Sequence, residues 1–409
     1  MAVSEPSAPQ LAGESKKSEE RRALGVASGA HALHDGYTDI IYVVLPIWQA
    51  EFGLSYAAVG LLRTVFTGTM ASLQIPATLL AERIGGPLVL AAGTALTGLC
   101  FCLVGASARF PWLVAALFLG GLGASVQHPL ASALVARTFE GARSITALGT
   151  YNFAGDLGKM ILPACAALLL LVMAWRPAVA ILGALGFMAA AAILSLTPRF
   201  VPEPAATDAA AAPTPSDARQ SAHQRTGFRL LLSIAAIDSV TRAGFMVFVP
   251  FLLIGKGASP VMAGLALTLL FVGGAAGKLV CAHIGARFGV LGAIVITEIL
   301  TLAGMVAVLF LPLMPALLIL PLVGAVLNGT SSLTYGSVPR FITPAIRDRA
   351  FGIFYTGTLG SAALSPTLSG ALGDVIGLHG AVVVIALLVL ATLPLTLLLR
   401  RHIREAEGS

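Results

Sequence analysis

Charge is scarce in this chain. Only 11% of its 409 residues are Asp, Glu, Lys or Arg, against about 25% in soluble domains, which excludes an ordinary water-facing surface. Cysteine is nearly absent: Cys100, Cys102, Cys165 and Cys281 all fall within apolar runs, which excludes a disulfide framework or a thiolate zinc site. Cys100 and Cys102, two residues apart, point to nearly opposite faces of a helix. There is no Gly-x-x-x-x-Gly-Lys-Ser/Thr stretch, so ATP does not drive the protein directly. Residues 1–22, ending "ESKKSEERR", have no apolar core before a small-residue cleavage site, and no cleavable signal peptide is expected.

What fills the chain is hydrophobic, 57% of it. A bilayer core of about 30 Å takes roughly 20 apolar residues per helix. Twelve such segments can be laid out, at about 24–50, 57–80, 88–108, 112–136, 145–171, 177–198, 229–254, 261–283, 289–311, 316–339, 350–373 and 380–399. Continuous runs of this length do not alternate with period two, so they read as helices rather than barrel strands.

Lys and Arg give the orientation. Of the 25, four lie within spans, three (Arg109, Arg176, Lys256) in one set of loops, and the other eighteen on the side of the N-terminus. This asymmetry places both termini in the cytoplasm and accounts for the net charge of +6 without nucleic acid.

The stretch 199–227 is rich in Pro, Ala and polar residues, as a flexible linker would be. It divides the spans six and six. A shift of 204 residues pairs Pro46 with Pro250, Gly60 with Gly264, Gln74 with Lys278, Arg83 with Arg287, Gly85 with Gly289 and Tyr151 with Tyr355, the mark of a tandem repeat. The organisation expected is a disordered N-terminus (1–22), a six-helix half (23–198), a linker (199–228), a second half (229–399) and a tail (400–409). With an even number of spans between them, the copies face the same way, as in carriers that rock about a central site.

The stretch "HALHDGYTDIIYVVLP" (31–46) places two histidines and two aspartates inside a span. At 100° per residue His31, His34, Asp35, Thr38, Asp39 and Tyr42 share a face roughly 140° wide. An ionised carboxylate on the lipid side costs at least about 3 kcal/mol, so that face is expected to line the bundle interior and carry function. The remaining intramembrane charges are Arg63, Asp156, Lys159, Asp238, Arg242, Lys278 and Glu298. Asp156 and Lys159 are i,i+3 and Asp238 and Arg242 are i,i+4, spacings at which side chains meet. Arg63 has no acid near it on its own helix and reads as the unpaired cation. Asp238 stands at the repeat position of His34, so both halves offer a titratable group to one cavity. Glycines at 68, 149, 155, 158, 273, 274, 277, 357, 360 and 370 are expected to bring the second, fifth, eighth and eleventh spans together across the halves.

The membrane part resembles the major facilitator superfamily. "TLLAERIGG" (78–86) and "AHIGARFGV" (282–290) are similar to its charged loop after the second span, at equivalent places of the repeat, which implies that Glu82, Arg83 and Arg287 form a cytoplasmic gate. Within the superfamily, "HALHD" at His31 and Asp35, "GGLGASVQHPLASALVAR" (120–137) with His128 and Pro129, and "YNFAGDLG" (151–158) with Asn152 resemble the fosmidomycin-resistance type of drug exporter. Leu130 stands where that type carries an acid, and His34 where it carries Asn.

The expectation is an all-α membrane protein of twelve transmembrane helices in two pseudo-symmetric halves. It acts as a monomer of the inner membrane, needs no cofactor and carries a small molecule against protons. Asp35, His31 and Asp238 are the expected proton-coupling groups. His34, Arg63, His128, Asn152, Asp156, Lys159, Arg242, Lys278 and Tyr355 are the expected substrate contacts. Efflux of a toxic compound is the first reading and uptake of an organic anion the second. A metal enzyme using His31, Asp35 and His128 is a remote third, because no further ligand or nucleophile arrangement accompanies them. The topology has a direct test: a cysteine placed at Arg83 or in 199–227 should react with impermeant reagents only from the cytoplasmic side, and labelling in intact cells would overturn it.

Overall fold

The structure is a computed structural model that describes residues 8–139, 142–197, 222–343 and 347–407. Helix is the only regular structure among them, as a segment without water to satisfy its backbone requires. The first half contains α1 (Ala8–Phe52), α2 (Tyr56–Ser72), α3 (Gln74–Ile84), α4 (Gly86–Ala106), α5 (Phe110–Ala124), α6 (Gln127–Thr138), α7 (Ala142–Leu169) and α8 (Trp175–Leu196). The second contains α9 (Ala222–Gly255), α10 (Pro260–Phe310), α11 (Leu313–Ser337), α12 (Arg347–Leu388) and α13 (Thr392–Glu407). Helix α1 begins at Ala8, so the described part of the segment expected to be disordered is helical. Most of the linker, residues 199–221 of 199–228, lies outside the described residues.

Eight described helical stretches are long and apolar enough to cross a membrane. The longest, Ala350–His402, has 53 residues, about 80 Å at 1.5 Å each. Gly377, at φ 77°, breaks it where the sequence places a loop between two spans. The more polar stretches, α1, α2 with α3, and α7, carry the buried charges of the first half. Two expected spans are interrupted: 57–80 divides into α2 and α3 at Leu73, and 112–136 divides into α5 and α6. Pro129, in the first turn of α6, has no N–H to continue the preceding ladder, and the break falls beside His128.

The repeat is visible in backbone chemistry. Gly53 and Gly257 have φ 63° and 96°, and Gly85 and Gly289 have φ 97° and 72°, conformations that only glycine adopts readily. Two residues after the first pair, Ser55 caps α2 by accepting from the Ala58 amide (3.2 Å) and Ser259 caps α10 by accepting from Met262 (3.1 Å). Each half thus ends a helix and starts the next with the same two residues, 204 positions apart.

A single apolar core containing Ile41, Trp48, Phe66, Phe245, Phe248 and Leu253 joins the halves at the end away from the termini. At the terminal end it is replaced by two separate clusters, one around Ala27, Leu130 and Leu134 and the other around Leu231, Phe341 and Phe354. Across the halves α2 packs on α12 and α7 on α10. A Cβ on Gly60 would meet the Pro366 backbone, and one on Gly370 the Tyr56 backbone. Most of the glycines expected at this seam lie elsewhere. Gly158 abuts Ala32, Gly273 and Gly277 abut α11, Gly357 meets Leu232, and Gly68, Gly149 and Gly360 face open space. Close approach is needed chiefly inside each half, where helices pack over most of their length.

The closed end carries a polar clasp. Asp374 accepts from the backbone N–H groups of Tyr56 (2.7 Å) and Ala57 (2.9 Å) at the start of α2, and Thr367 donates to Thr64 (2.8 Å). Desolvation raises the Asp374 carboxyl, and the amide of Ala57, the hydroxyl of Ser55 and the amide of Tyr56 together outweigh it and hold the group below the usual carboxylate range. Its contribution is therefore complete above the ordinary carboxylate pKa and is lost as pH falls through the lowered value. Asp374→Ala should open this end, shifting the open-to-closed ratio about five-fold for a cap worth about 1 kcal/mol. Spin-label distances between α2 and α12 measure the shift, and in the native chain the clasp should add no pH dependence between pH 5 and 8.

Candidate functional site

Between the two terminal clusters lie adjoining cavity lobes of about 640 and 360 Å³. The larger is bordered by exposed Asn152 and Tyr335, so the site opens toward the terminal end. All twelve residues expected to couple protons or contact substrate line these lobes: His31, His34, Asp35, Arg63, His128, Asn152, Asp156, Lys159, Asp238, Arg242, Lys278 and Tyr355, and Thr38, Asp39 and Tyr42 of the same α1 face join them.

Asp35 is the focus of the first half. Its Oδ2 lies 3.4 Å from His31 Nε2 and 3.2 Å from Lys159 Nζ, and its Oδ1 lies 4.0 Å from His34 Nε2. His31 Nδ1 is 2.9 Å from the Tyr151 carbonyl oxygen, and its ring stacks on that of Tyr151 at 4.1 Å. With Nδ1 turned to that carbonyl, Nε2 is the His31 nitrogen that faces the Asp35 carboxylate, beside the Lys159 ammonium on the same oxygen. His128 stands edge-on to His31 and His34, with ring centroids 5.3 and 4.8 Å away. Gly155 is needed here, since a Cβ would strike Asp35 and His31.

From Asp35 a chain of charges crosses to the second half. Lys159 is also 3.9 Å from Asp156, and Lys278 of α10 donates to both oxygens of Asp156, at 2.8 and 2.6 Å. The expected i,i+3 pairing is therefore the weaker contact of Lys159, and each lysine finds its closer partner on another helix.

Two further expectations are corrected. Arg63 is not unpaired: its guanidinium lies 3.6 Å from Asp39, donates to the Thr38 carbonyl and sits 4.3 Å over the Tyr42 ring. All three partners come from α1, which a search along its own helix could not find. Asp238 and Arg242 do not form the expected ion pair: Asp238 is 4% exposed with Oδ2 unpartnered, and Arg242 reaches Ser239 Oγ at 3.5 Å. Among the described residues no carboxylate lies within 4 Å of Arg242.

Glu82, Arg83 and Arg287 stand outside the lobes and make no ion pair among the described residues; Arg83 and Arg287 are exposed. A gate would be unpaired at an open end. Sequence reasoning missed Ser239, Asn328 and Ser331 as cavity residues. Ser331 occupies the repeat position of buried Gln127, so the 204-residue shift was the available signal. Glu298, set among the charges but not among the site residues, is 1% exposed with Oε1 unpartnered.

His31, Asp35 and His128 offer ligand atoms within 4.8 Å of one another. The Lys159 ammonium already lies against the carboxylate, so a divalent ion would have to displace it.

Two pseudo-symmetric helical halves around a charged cavity are what a carrier requires, and the Major Facilitator Superfamily model matches residues 27–251 and 231–408. The chain belongs to the Major Facilitator Superfamily. It is thus a multi-pass membrane protein of a transporter family whose members carry small molecules, rather than an enzyme. It is 28% identical over 173 residues to the fosmidomycin resistance protein of Escherichia coli (strain K12), a match spanning 42% of each chain. Its fold is similar to that of a bacterial homologue of the human lysosomal transporter Spinster in an inward-facing, occupied conformation. That likeness has a TM-score of 0.78 at 16% identity over 94% of this chain and 97% of the other. A nucleoside transporter is similar at a TM-score of 0.77, with 12% identity over 92% and 99%.

Without Lys278 the Asp156 carboxylate, 13% exposed, keeps only the longer 3.9 Å contact with Lys159, and a partly buried charge that loses its closer partner costs stability. Lys278→Gln should therefore lower the thermal midpoint of the superfamily protein in detergent more than Lys278→Gln combined with Asp156→Asn, the double change restoring at least half of the loss.

Proposed function

We propose that this protein is a proton-coupled secondary transporter of the inner membrane that extrudes a small toxic compound by alternating access. The observation that carries this reading is the cluster around Asp35, where a carboxylate meets two imidazoles and an ammonium inside a cavity lying between the halves. A group so placed can exchange a proton while the halves rock, and each protonation state favours one conformation by the difference in its free energy. With the termini assigned to the cytoplasm, the open end receives cytoplasmic cargo, as export requires. The likeness to a protein named for fosmidomycin resistance supports efflux, while Leu130 in place of an acid after His128 and Pro129 speaks against the same cargo.

In this reading Asp35 and His31 load and unload the proton and Asp238 is the second titratable group. Lys159, Arg242 and Lys278, with His34, His128, Asn152 and Tyr355, contact the cargo. The protein works as a monomer. Uptake of an organic anion is the second reading, favoured by Arg242, whose guanidinium has no described carboxylate within 4 Å. Deletion and overexpression followed by a toxicity screen over antibiotics, metalloids and organic acids separate the two, since export predicts resistance and uptake sensitivity.

Asp35→Asn keeps size and hydrogen bonding but fixes the group as neutral. The variant should insert, fold and bind cargo, keep exchange in the absence of a gradient, and lose flux driven by an imposed pH difference in proteoliposomes. A full response to the gradient would make Asp35 structural and move the coupling proton to Asp238, Asp156 or Glu298.

A further inference from the structure

The second half buries two acids that no base meets. Asp238 of α9 is 4% exposed and Glu298 of α10 is 1% exposed. One oxygen of each, Oδ2 and Oε1, has no hydrogen-bond partner, and among the described residues neither carboxyl has an ion pair. Asp238 lines the larger cavity lobe and Glu298 lines neither lobe, so Glu298 is the deeper of the two.

The two acids belong to one place. Their repeat positions, His34 and Thr94, line a single small cavity of the first half together with Thr97 and Gln127. Moved by 204 residues, these four become Asp238, Glu298, Thr301 and Ser331. In the second half Asp238 is the charge that acts most strongly on Glu298, and Arg242 is the one cation that acts on either acid. Hydroxyls surround Glu298: Thr330 of α11 donates to its neighbour Thr297 at 2.8 Å, and Thr301, one turn further along α10, is buried with Oγ1 unpartnered. The fold does not require an acid here. In the first half Thr94 donates to the Leu90 carbonyl of its own helix at 2.8 Å, so Glu298 is an addition to one copy, made where a second carboxyl is costly.

We propose that Asp238 and Glu298 act as one proton site, in which Glu298 holds a proton while Asp238 stays ionised, so that the pair and Arg242 are together neutral. Two ionised carboxylates with one guanidinium would leave net negative charge in the membrane interior, and adjoining carboxyls titrate as a unit for this reason. Each acid thus sets the state of the other. Asp238 meets the cavity and Glu298 keeps the proton behind it, which gives the second half a counterpart to the Asp35 cluster. That use rests on the proton-coupled reading. The protonation state itself is read without cargo or gradient, so the failure of one idea is distinguishable from the failure of the other.

The test is infrared spectroscopy of the full chain in a maltoside detergent at neutral pH. It reads the C=O stretch of un-ionised carboxylic acids, with isotope-labelled glutamate to separate Glu from Asp. The native protein should show a buried glutamic acid band that Glu298→Gln removes completely. Asp238→Asn should remove it too, because the like charge that keeps the proton on Glu298 is gone while Arg242 remains to answer the carboxylate. Arg242→Gln should keep the band and add an aspartic acid band, since the second carboxyl then takes a proton of its own. Survival of the band in Asp238→Asn would make Glu298 neutral through burial alone and overturn the pair. Its absence from the native protein would do the same, as would its loss when sodium replaces choline at constant pH, which puts a metal cation in the proton's place. Arg242→Gln covers the case in which Asp238→Asn does not fold: no added aspartic acid band there also overturns the proposal.

Discussion

A charge in the membrane interior must be answered by another charge or a proton, and the arrangement of this protein follows from how its charges are answered. Asp35, Lys159, Asp156 and Lys278 form a line from α1 through α7 to α10, so the electrostatics of one half are completed by the other. Neither half could bury its share alone at the same cost. The halves are held in register by this need as well as by their shared apolar core.

The two ends of the bundle differ in the kind of contact they use. At the closed end a continuous core, the glycine contacts of Gly60 and Gly370 and the Asp374 clasp bring backbones together. At the terminal end the apolar clusters belong to single halves, and the cross-connection from Lys278 to Asp156 is made by a long flexible side chain. Such a contact can be remade with a bound anion or a shifted proton, whereas packed glycine seams separate as units. The asymmetry suits rocking about the cavity.

The sequence made the architecture legible because a continuous apolar run has few interpretations and one shift of 204 residues aligned many positions at once. The face of α1 was legible for the same reason: helical spacing placed His31, His34, Asp35 and Asp39 together before any partner was known. Partners were harder. Local spacing suggested Asp238 with Arg242, yet Arg242 reaches Ser239, and Arg63 found Asp39 on another helix. Spacing along one helix reports which groups could meet, and the packing of other helices decides which do. Glycine was over-read in the same way, since a missing side chain shows that something approaches closely but not from which half. Asp374 escaped notice because it lies at a loop edge where an acid is ordinary, and two of its partners are backbone N–H groups that every residue but proline supplies.

That last feature bears on how such a clasp is inherited. One jaw is a single carboxylate, open to loss by mutation, whereas the other is the peptide backbone at Tyr56 and Ala57, which nearly any substitution leaves in place. On this jaw the Ser55 hydroxyl is the one side chain that bears on Asp374, and an alanine scan from Tyr56 onward would leave both main-chain bonds intact. Only proline at either position would remove a donor, so half of this latch is written in the main chain and hidden from comparisons of side chains.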